Sequence, residues 1–144
     1  MTTQAQQAND GASVDSAAPV LEVKGLRTSF YTRAGVIRAV TGVDFSVNKG
    51  EVVGLVGESG CGKSVTSLTI LGLVGEPGKV EGGEVLFGGQ DLLQASDEEL
   101  RDIRGNRIAM IFQQPQSSLN PVMKVGRQIS EALEVHEDLS GKAA

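Results

Sequence analysis

Gly57-Glu58-Ser59-Gly60-Cys61-Gly62-Lys63-Ser64 is the stretch on which the reading of this chain turns. It fits Gly-x4-Gly-Lys-Ser, a spacing in which each fixed position has its own physical reason. Gly57, Gly60 and Gly62 allow turns that a Cβ would forbid and let the backbone approach phosphate oxygens closely. Successive N–H groups then face one concavity and form an anion nest. Lys63 reaches toward the β- and γ-phosphates as a point charge, and the Ser64 hydroxyl is suited to ligate Mg²⁺. The flanks agree with this reading. Val52-Val53-Gly54-Leu55-Val56 reads as a short buried strand, and Val65 to Val74 as a buried helix closed by Gly75. That helix adds the positive end of its dipole to the nest.

Upstream, Met1 to Pro19 is rich in Thr, Gln, Ala, Asn, Asp and Ser and carries no Lys or Arg, which predicts a disordered tail. Val20 to Tyr31 opens with the alternation Leu21-Glu22-Val23-Lys24 and predicts a strand. Val36 to Val40 and Val43 to Val47 predict two more, separated by Thr41-Gly42, and Asn48-Lys49-Gly50 is a turn. Several short strands ahead of the glycine loop imply an antiparallel β-layer beside the main sheet. A plain dinucleotide-binding chain would begin with its phosphate-binding βα unit.

Downstream, Glu76-Pro77-Gly78 is a loop, Glu84 to Phe87 a strand and Gly88-Gly89 a tight turn. Ser96-Asp97-Glu98-Glu99 fits a capping box, and the helix it starts buries Leu100 and Ile103 before ending near Gly105. Arg107 to Phe112 predicts an apolar buried strand that stops at Gln113-Gln114-Pro115. From Val125 a helix places Val125, Ile129, Ala132 and Leu133 on one face.

The chain has 144 residues, 40 % hydrophobic and 22 % charged, an ordinary soluble composition with room for one domain. A net charge of −5 gives no footprint for nucleic acid. A single cysteine excludes an intramolecular disulfide and fits a reducing compartment. No apolar run approaches the roughly 20 residues that span a bilayer. The N-terminus does not have the basic start and apolar core of a secretory signal. Membrane association would therefore come through a partner.

Taken together these residues resemble the ATP-binding subunit of an ABC transporter. The fold class this implies is α/β, a P-loop NTPase core with an antiparallel β-subdomain and the start of an α-helical subdomain, incomplete. The run Phe112-Gln113-Gln114-Pro115-Gln116-Ser117-Ser118-Leu119-Asn120-Pro121, followed by Val125-Gly126-Arg127-Gln128-Ile129, is similar to the dipeptide/oligopeptide and nickel importer branch. So is the opening Leu21-Glu22-Val23-Lys24-Gly25-Leu26. The resemblance implies a tail over residues 1–19, a nucleotide-binding core over 20–113, and the Q-loop exit with the start of the helical subdomain over 114–144. It implies ATP and Mg²⁺ as cofactors. The ATP-binding set would be Phe30, Gly57, Glu58, Ser59, Gly60, Cys61, Gly62, Lys63, Ser64, Val65 and Gln113, with Ser64 and Gln113 on the metal. Phe30 would stack on adenine, with Tyr31 as the alternative. Implied partners are a second ATP-binding subunit, the transmembrane permease subunits and, indirectly, a substrate-binding protein, at the cytoplasmic face of the membrane.

The family's Leu-Ser-Gly-Gly-Gln signature, its strand ending in Asp-Glu and its switch histidine are not found after Gln113. Leu86-Phe87-Gly88-Gly89-Gln90 imitates the signature but precedes Gln113 and has Phe where Ser belongs, so it reads as a hairpin turn. His136 lies on the helix after Gln113, and Glu58 lies inside the glycine loop, so neither is read as a catalytic group. No catalytic residue is identified. The expectation is an N-terminal portion of an importer ATPase, or a non-catalytic nucleotide-binding fragment, with an open apolar strand edge when isolated. Neither a GTPase base-specificity motif nor a kinase lid is found.

Overall fold

The computed structural model describes residues Ala5–Gln6, 18–113 and 119–136. It divides into two compact units, Met1–Ala95 and Ser96–Ala144. The first is built on an antiparallel sheet. Strands β2 (Leu21–Thr32) and β3 (Gly35–Val47) form a long hairpin. β5 (Gly78–Phe87) lines the other side of β2, and the two-residue β6 (Gln90–Asp91) closes the order β3-β2-β5-β6. Val23, Leu26 and Thr28 on β2 are all buried, a spacing that a strict period of two forbids. A bulge reconciles them. The register shifts between Val23 and Leu26, Gly25 takes φ 53°, and its N–H donates to Asp44 Oδ1 at 2.7 Å. With Val40, Val43, Val85 and Phe87 these residues make the core of the sheet.

Three expectations in this unit are corrected. Residues 36–47 form one strand, not two, because register shifts absorb the irregularity around Thr41-Gly42 without breaking the pairing with β2. The stretch before the glycine loop is strand only at β4 (Gly54–Leu55), which pairs antiparallel with β1 (Ala5–Gln6). It is not buried: Val52 is 95 % exposed and Val56 is also exposed. A strand buries both faces only inside a covered sheet. Among the described residues β1 is the sole strand beside β4, so nothing covers those side chains. The helix α1 (Lys63–Ile70) stops before Gly75. Gly72, at φ 62°, ends it: Gly72 N–H donates to Thr69 O at 3.0 Å and Leu73 N–H to Leu68 O at 2.8 Å, the two bonds of a Schellman cap. The tail expectation meets the described residues at Ala5–Gln6, which are strand, and otherwise falls mostly outside them. Gly88-Gly89 forms the expected turn, with both glycines at positive φ.

In the second unit α2 (Asp97–Ile103) carries the capping box. Glu99 N–H donates to Ser96 Oγ at 3.3 Å, and Ser96 N–H donates to Glu99 Oε2 at 2.7 Å. Leu100 and Ile103 are buried, and Gly105 follows at φ 81°. The expected buried strand at 107–112 is corrected. Only Ile108 makes a bridge, to Arg104, and Ile111 is 93 % exposed with Phe112 also exposed. Apolar, β-branched composition specifies a strand only where a neighbouring ladder is available. The helix α3 (Val125–His136) forms as read, with Val125, Ile129 and Leu133 at helical spacing and exposed.

Candidate nucleotide-binding site

The glycine loop hangs between β4 and α1. Gly60 and Gly62 sit at φ 82° and 97°, where an L side chain is strained, so these two glycines are required by conformation. Gly62 is required by space as well. A Cβ there would lie 2.2 Å from Ala39 O of β3. A Cβ on Gly57 would lie 2.6 Å from Cys61 Sγ, so the thiol folds over the start of the loop. The Lys63 side chain turns back across the loop. Its Nζ donates to Gly57 O and Glu58 O, both at 2.8 Å, and lies 3.4 Å from Cys61 Sγ. The ammonium is therefore held back against the Gly57–Glu58 backbone, on carbonyls that hold it without neutralising it.

Gly62 caps α1 with no side-chain acceptor, and the first turn of the helix holds no acidic residue. The first N–H groups of α1 and the Lys63 charge thus stand at an end where the helix's own first turn offers no acidic side chain, an electrostatic condition that favours an anion. Glu58, Ser59 and Gly60 are exposed, as is Ser64. Val65 is half-buried. Thr66 backs the loop from within, its hydroxyl donating to Gly62 O at 3.0 Å.

The two aromatic candidates differ. Phe30 is half-buried in β2 opposite Gly78, and a Cβ on Gly78 would come within 2.9 Å of Phe30 Cε1 and 2.5 Å of Val74 Cγ1. The ring is seated by that glycine. Tyr31 is exposed, and its phenol donates to Glu81 Oε1. Ser29 Oγ donates to the other oxygen, Glu81 Oε2, at 3.0 Å. The Tyr31 bond first, then the Ser29 bond, holds the Glu81 carboxyl below its ordinary range, and the same carboxylate raises the Tyr31 phenol. Gln113 belongs to the second unit, where it is exposed. Among the described residues no group of three or more His, Cys, Asp or Glu could hold a metal.

A family model described as "ABC transporter" matches residues 40–142, from β3 through the glycine loop and past Gln113. The chain belongs to the ABC transporter family. It is 54 % identical over 122 residues to a probable peptide ABC transporter ATP-binding protein, y4tR, of Sinorhizobium fredii, covering 84 % of this chain and 36 % of that protein. It is 52 % identical over 126 residues to the oligopeptide transport ATP-binding protein OppD of Bacillus subtilis, covering 87 % of this chain and 35 % of that one. This ABC chain thus spans about a third of the length of the curated relatives it matches. Among solved structures it is similar to a dimeric bacterial ABC transporter cassette, MJ0796, with a TM-score of 0.70 and 26 % identity, over 86 % of this chain and 50 % of that one. The α/β fold class, a P-loop core with an antiparallel layer, agrees with that neighbour.

Two features of the ABC chain escaped sequence reasoning. The first is a clasp in the run after Gln113. The Gln128 side chain accepts from Asn120 N–H at 2.8 Å and donates to Asn120 O and Met123 O, both at 3.0 Å. Asn120 Oδ1 in turn accepts from Val122 N–H at 3.1 Å. One amide thereby ties the 120–123 loop to α3. Asn120 and Gln128 were quoted for resemblance alone; an Asn-Pro turn ahead of a helix bearing Gln eight residues on was the available signal. The second is a buried hydroxyl contact between Thr28 and Thr69, 41 residues apart, for which no local signal exists. Among the described residues no helix is long and apolar enough to cross a membrane.

Proposed function

We propose that this chain is the phosphate-loop portion of an ATP-binding subunit that couples ATP to import of di- or oligopeptides. The observation that carries the reading is the loop from Gly57 to Ser64: Lys63 Nζ held on two of its carbonyls and a first turn of α1 free of any acidic side chain. That donor set suits polyphosphate. The amides from Gly60 onward, with Val65 at the first turn of α1, would take phosphate oxygens, and Lys63 would add charge. Ser64 would hold Mg²⁺, and the metal role that the resemblance gives Gln113 is part of the same reading. Mg²⁺ beside phosphates ordinarily keeps few protein ligands and takes the rest from phosphate and water, so a dedicated carboxylate cage is not needed. Bound there, it would neutralise phosphate charge. Phe30 would stack on adenine, and Tyr31 is the alternative.

Peptide as cargo is supported by the names of the relatives, which are peptide, oligopeptide and dipeptide transport proteins. A second ATP-binding subunit as partner is supported by the dimeric neighbour. Permease subunits, an indirect substrate-binding protein and a place at the cytoplasmic membrane face follow from the same reading.

The test is ATP binding and turnover by the purified chain, with and without Mg²⁺, beside Lys63→Ala. Binding that weakens at least about tenfold in the variant is expected, since a charge-assisted contact to phosphate is lost. Absence of lysine-dependent binding would defeat the reading.

A further inference from the structure

We propose that Thr28 is a positioning residue for the phosphate loop, acting through a buried hydroxyl pair with Thr69 that fixes how α1 lies on the sheet. The inference rests on the nucleotide-binding reading above.

Thr28 stands on β2 and Thr69 in the last turn of α1. Both are fully buried, and their hydroxyl oxygens are 3.0 Å apart. The direction of the bond follows from counting protons. Thr69 Oγ1 is also 2.7 Å from Val65 O, and a carbonyl can only accept. The single Thr69 proton is thereby committed to Val65, so Thr28 is the donor and Thr69 Oγ1 the acceptor. No buried polar side chain among the described residues is left without a partner.

The other end of α1 is pinned differently. Gly62 lies so close to β3 that a Cβ would meet Ala39 O at 2.2 Å and Val40 Cγ2 at 3.6 Å. Val40 is the register partner of Thr28. The two anchors of the helix, Gly62 and Thr69, therefore fall on neighbouring positions of one hairpin, with the residues Lys63 to Leu68 and about 10 Å of rise between them. Two points define an axis. The apolar residues at the C-terminal end, Ile70 and Leu71, are buried, but apolar contact is not directional and tolerates sliding. The hydroxyl pair does not. Without it α1 can tilt about the Gly62 contact. Such a tilt turns the first amides of α1 and the Ser64 hydroxyl while the loop stays attached, and misplacements of this size are costly wherever several groups must converge on one ligand.

The experiment is an ATP titration with and without Mg²⁺ on the full 144-residue chain, together with thermal melting, for wild type, Lys63→Ala, Thr28→Val, Thr28→Ser and Thr28→Val/Thr69→Val. Thr28→Val removes the donor and leaves the Thr69 proton on Val65, so no buried group is stranded. It is expected to weaken MgATP binding by roughly three- to tenfold, the scale of one hydrogen bond's worth of positioning. It should also shrink the gain in affinity that Mg²⁺ confers, because Ser64 is displaced. Thr28→Ser restores the hydroxyl and should restore both quantities. The double variant removes both hydroxyls, leaves nothing unsatisfied and carries the same prediction if the single variant does not fold. Unchanged MgATP affinity and unchanged Mg²⁺ gain, whatever the melting temperature does, would overturn the proposal, as would failure of Thr28→Ser to rescue. Wild type that binds no ATP in a Lys63-dependent way would instead bring down the nucleotide reading, and this proposal with it.

Discussion

The hairpin sheet and the stretch around the phosphate loop treat similar apolar residues in opposite ways. In β2 and β5, Val23, Leu26 and Val85 are buried almost completely. Immediately before the loop, Val52 is 95 % exposed, and Val56 is exposed as well. Side-chain chemistry does not separate these two sets. What separates them is the ladder. β2 has a strand on each side, whereas, among the described residues, β4 has only the two residues of β1. An apolar, β-branched run records that a segment is meant to be covered; whether it is covered depends on pairing contributed from elsewhere in the sequence. The second unit repeats the contrast on a smaller scale, with Leu100 buried on the capped helix α2 and Ile111 left open.

That contrast can be broken most forcefully at the sheet. Leu26→Ala should lower unfolding free energy by about 3 kcal/mol, the usual cost of emptying a fully buried leucine site, measured by urea denaturation. A loss below about 1 kcal/mol would mean that the hairpin core is loosely packed. Next in size is the clasp of the second unit. Gln128→Leu removes three side-chain hydrogen bonds and should speed amide exchange at Asn120 about tenfold, equivalent to roughly 1.4 kcal/mol. Unchanged exchange there would mean that the 120–123 loop is held by its own turn.

A smaller effect concerns pH at α2. The backbone and side-chain bonds from Ser96 hold the Glu99 carboxyl below its ordinary range. A depressed folded-state pKa contributes stability above the unfolded value and loses it as pH falls through the folded one. The helix signal of α2 should therefore fray on the acid side of the ordinary carboxylate range, and Glu99→Gln should flatten that titration. An acid profile identical in wild type and variant would remove the capping box from the account. Smallest of all is Val52→Ser, expected to change stability by less than about 0.5 kcal/mol because the side chain has no cover to lose. A large loss would show that Val52 is packed after all and would erase the contrast.

How legible each part was follows from the range of the interaction that makes it. The glycine loop, the Ser96–Glu99 box and the Gly88-Gly89 turn were readable because each rests on residues within a few positions of one another. The true end of α1 was not. Leu73-Val74 continues an apolar pattern, while the stop depends on the positive φ of Gly72 and on which carbonyls remain to be satisfied. The buried strand expected at 107–112 failed because its composition was read without its partner. The Thr28–Thr69 tie was invisible for a related reason: two threonines 41 residues apart carry no pattern until a helix is laid across a sheet. Within the candidate site the loop residues were legible one by one, but the support beneath them was not.

The hairpin of β2 and β3 has one more consequence. Its two long strands are joined only by the exposed turn at Arg33-Ala34, and Thr32 Oγ1 closes that turn on Gly35 O at 2.8 Å. Chain continuity at this point therefore contributes little beyond keeping the ends together, an entropic term that grows only slowly with added length. The turn is the natural place to interrupt the polypeptide. A nick after Arg33, or a reporter peptide spliced in there, should leave the paired strands holding each other. It would give a handle on the sheet that leaves the Gly57–Ser64 segment intact.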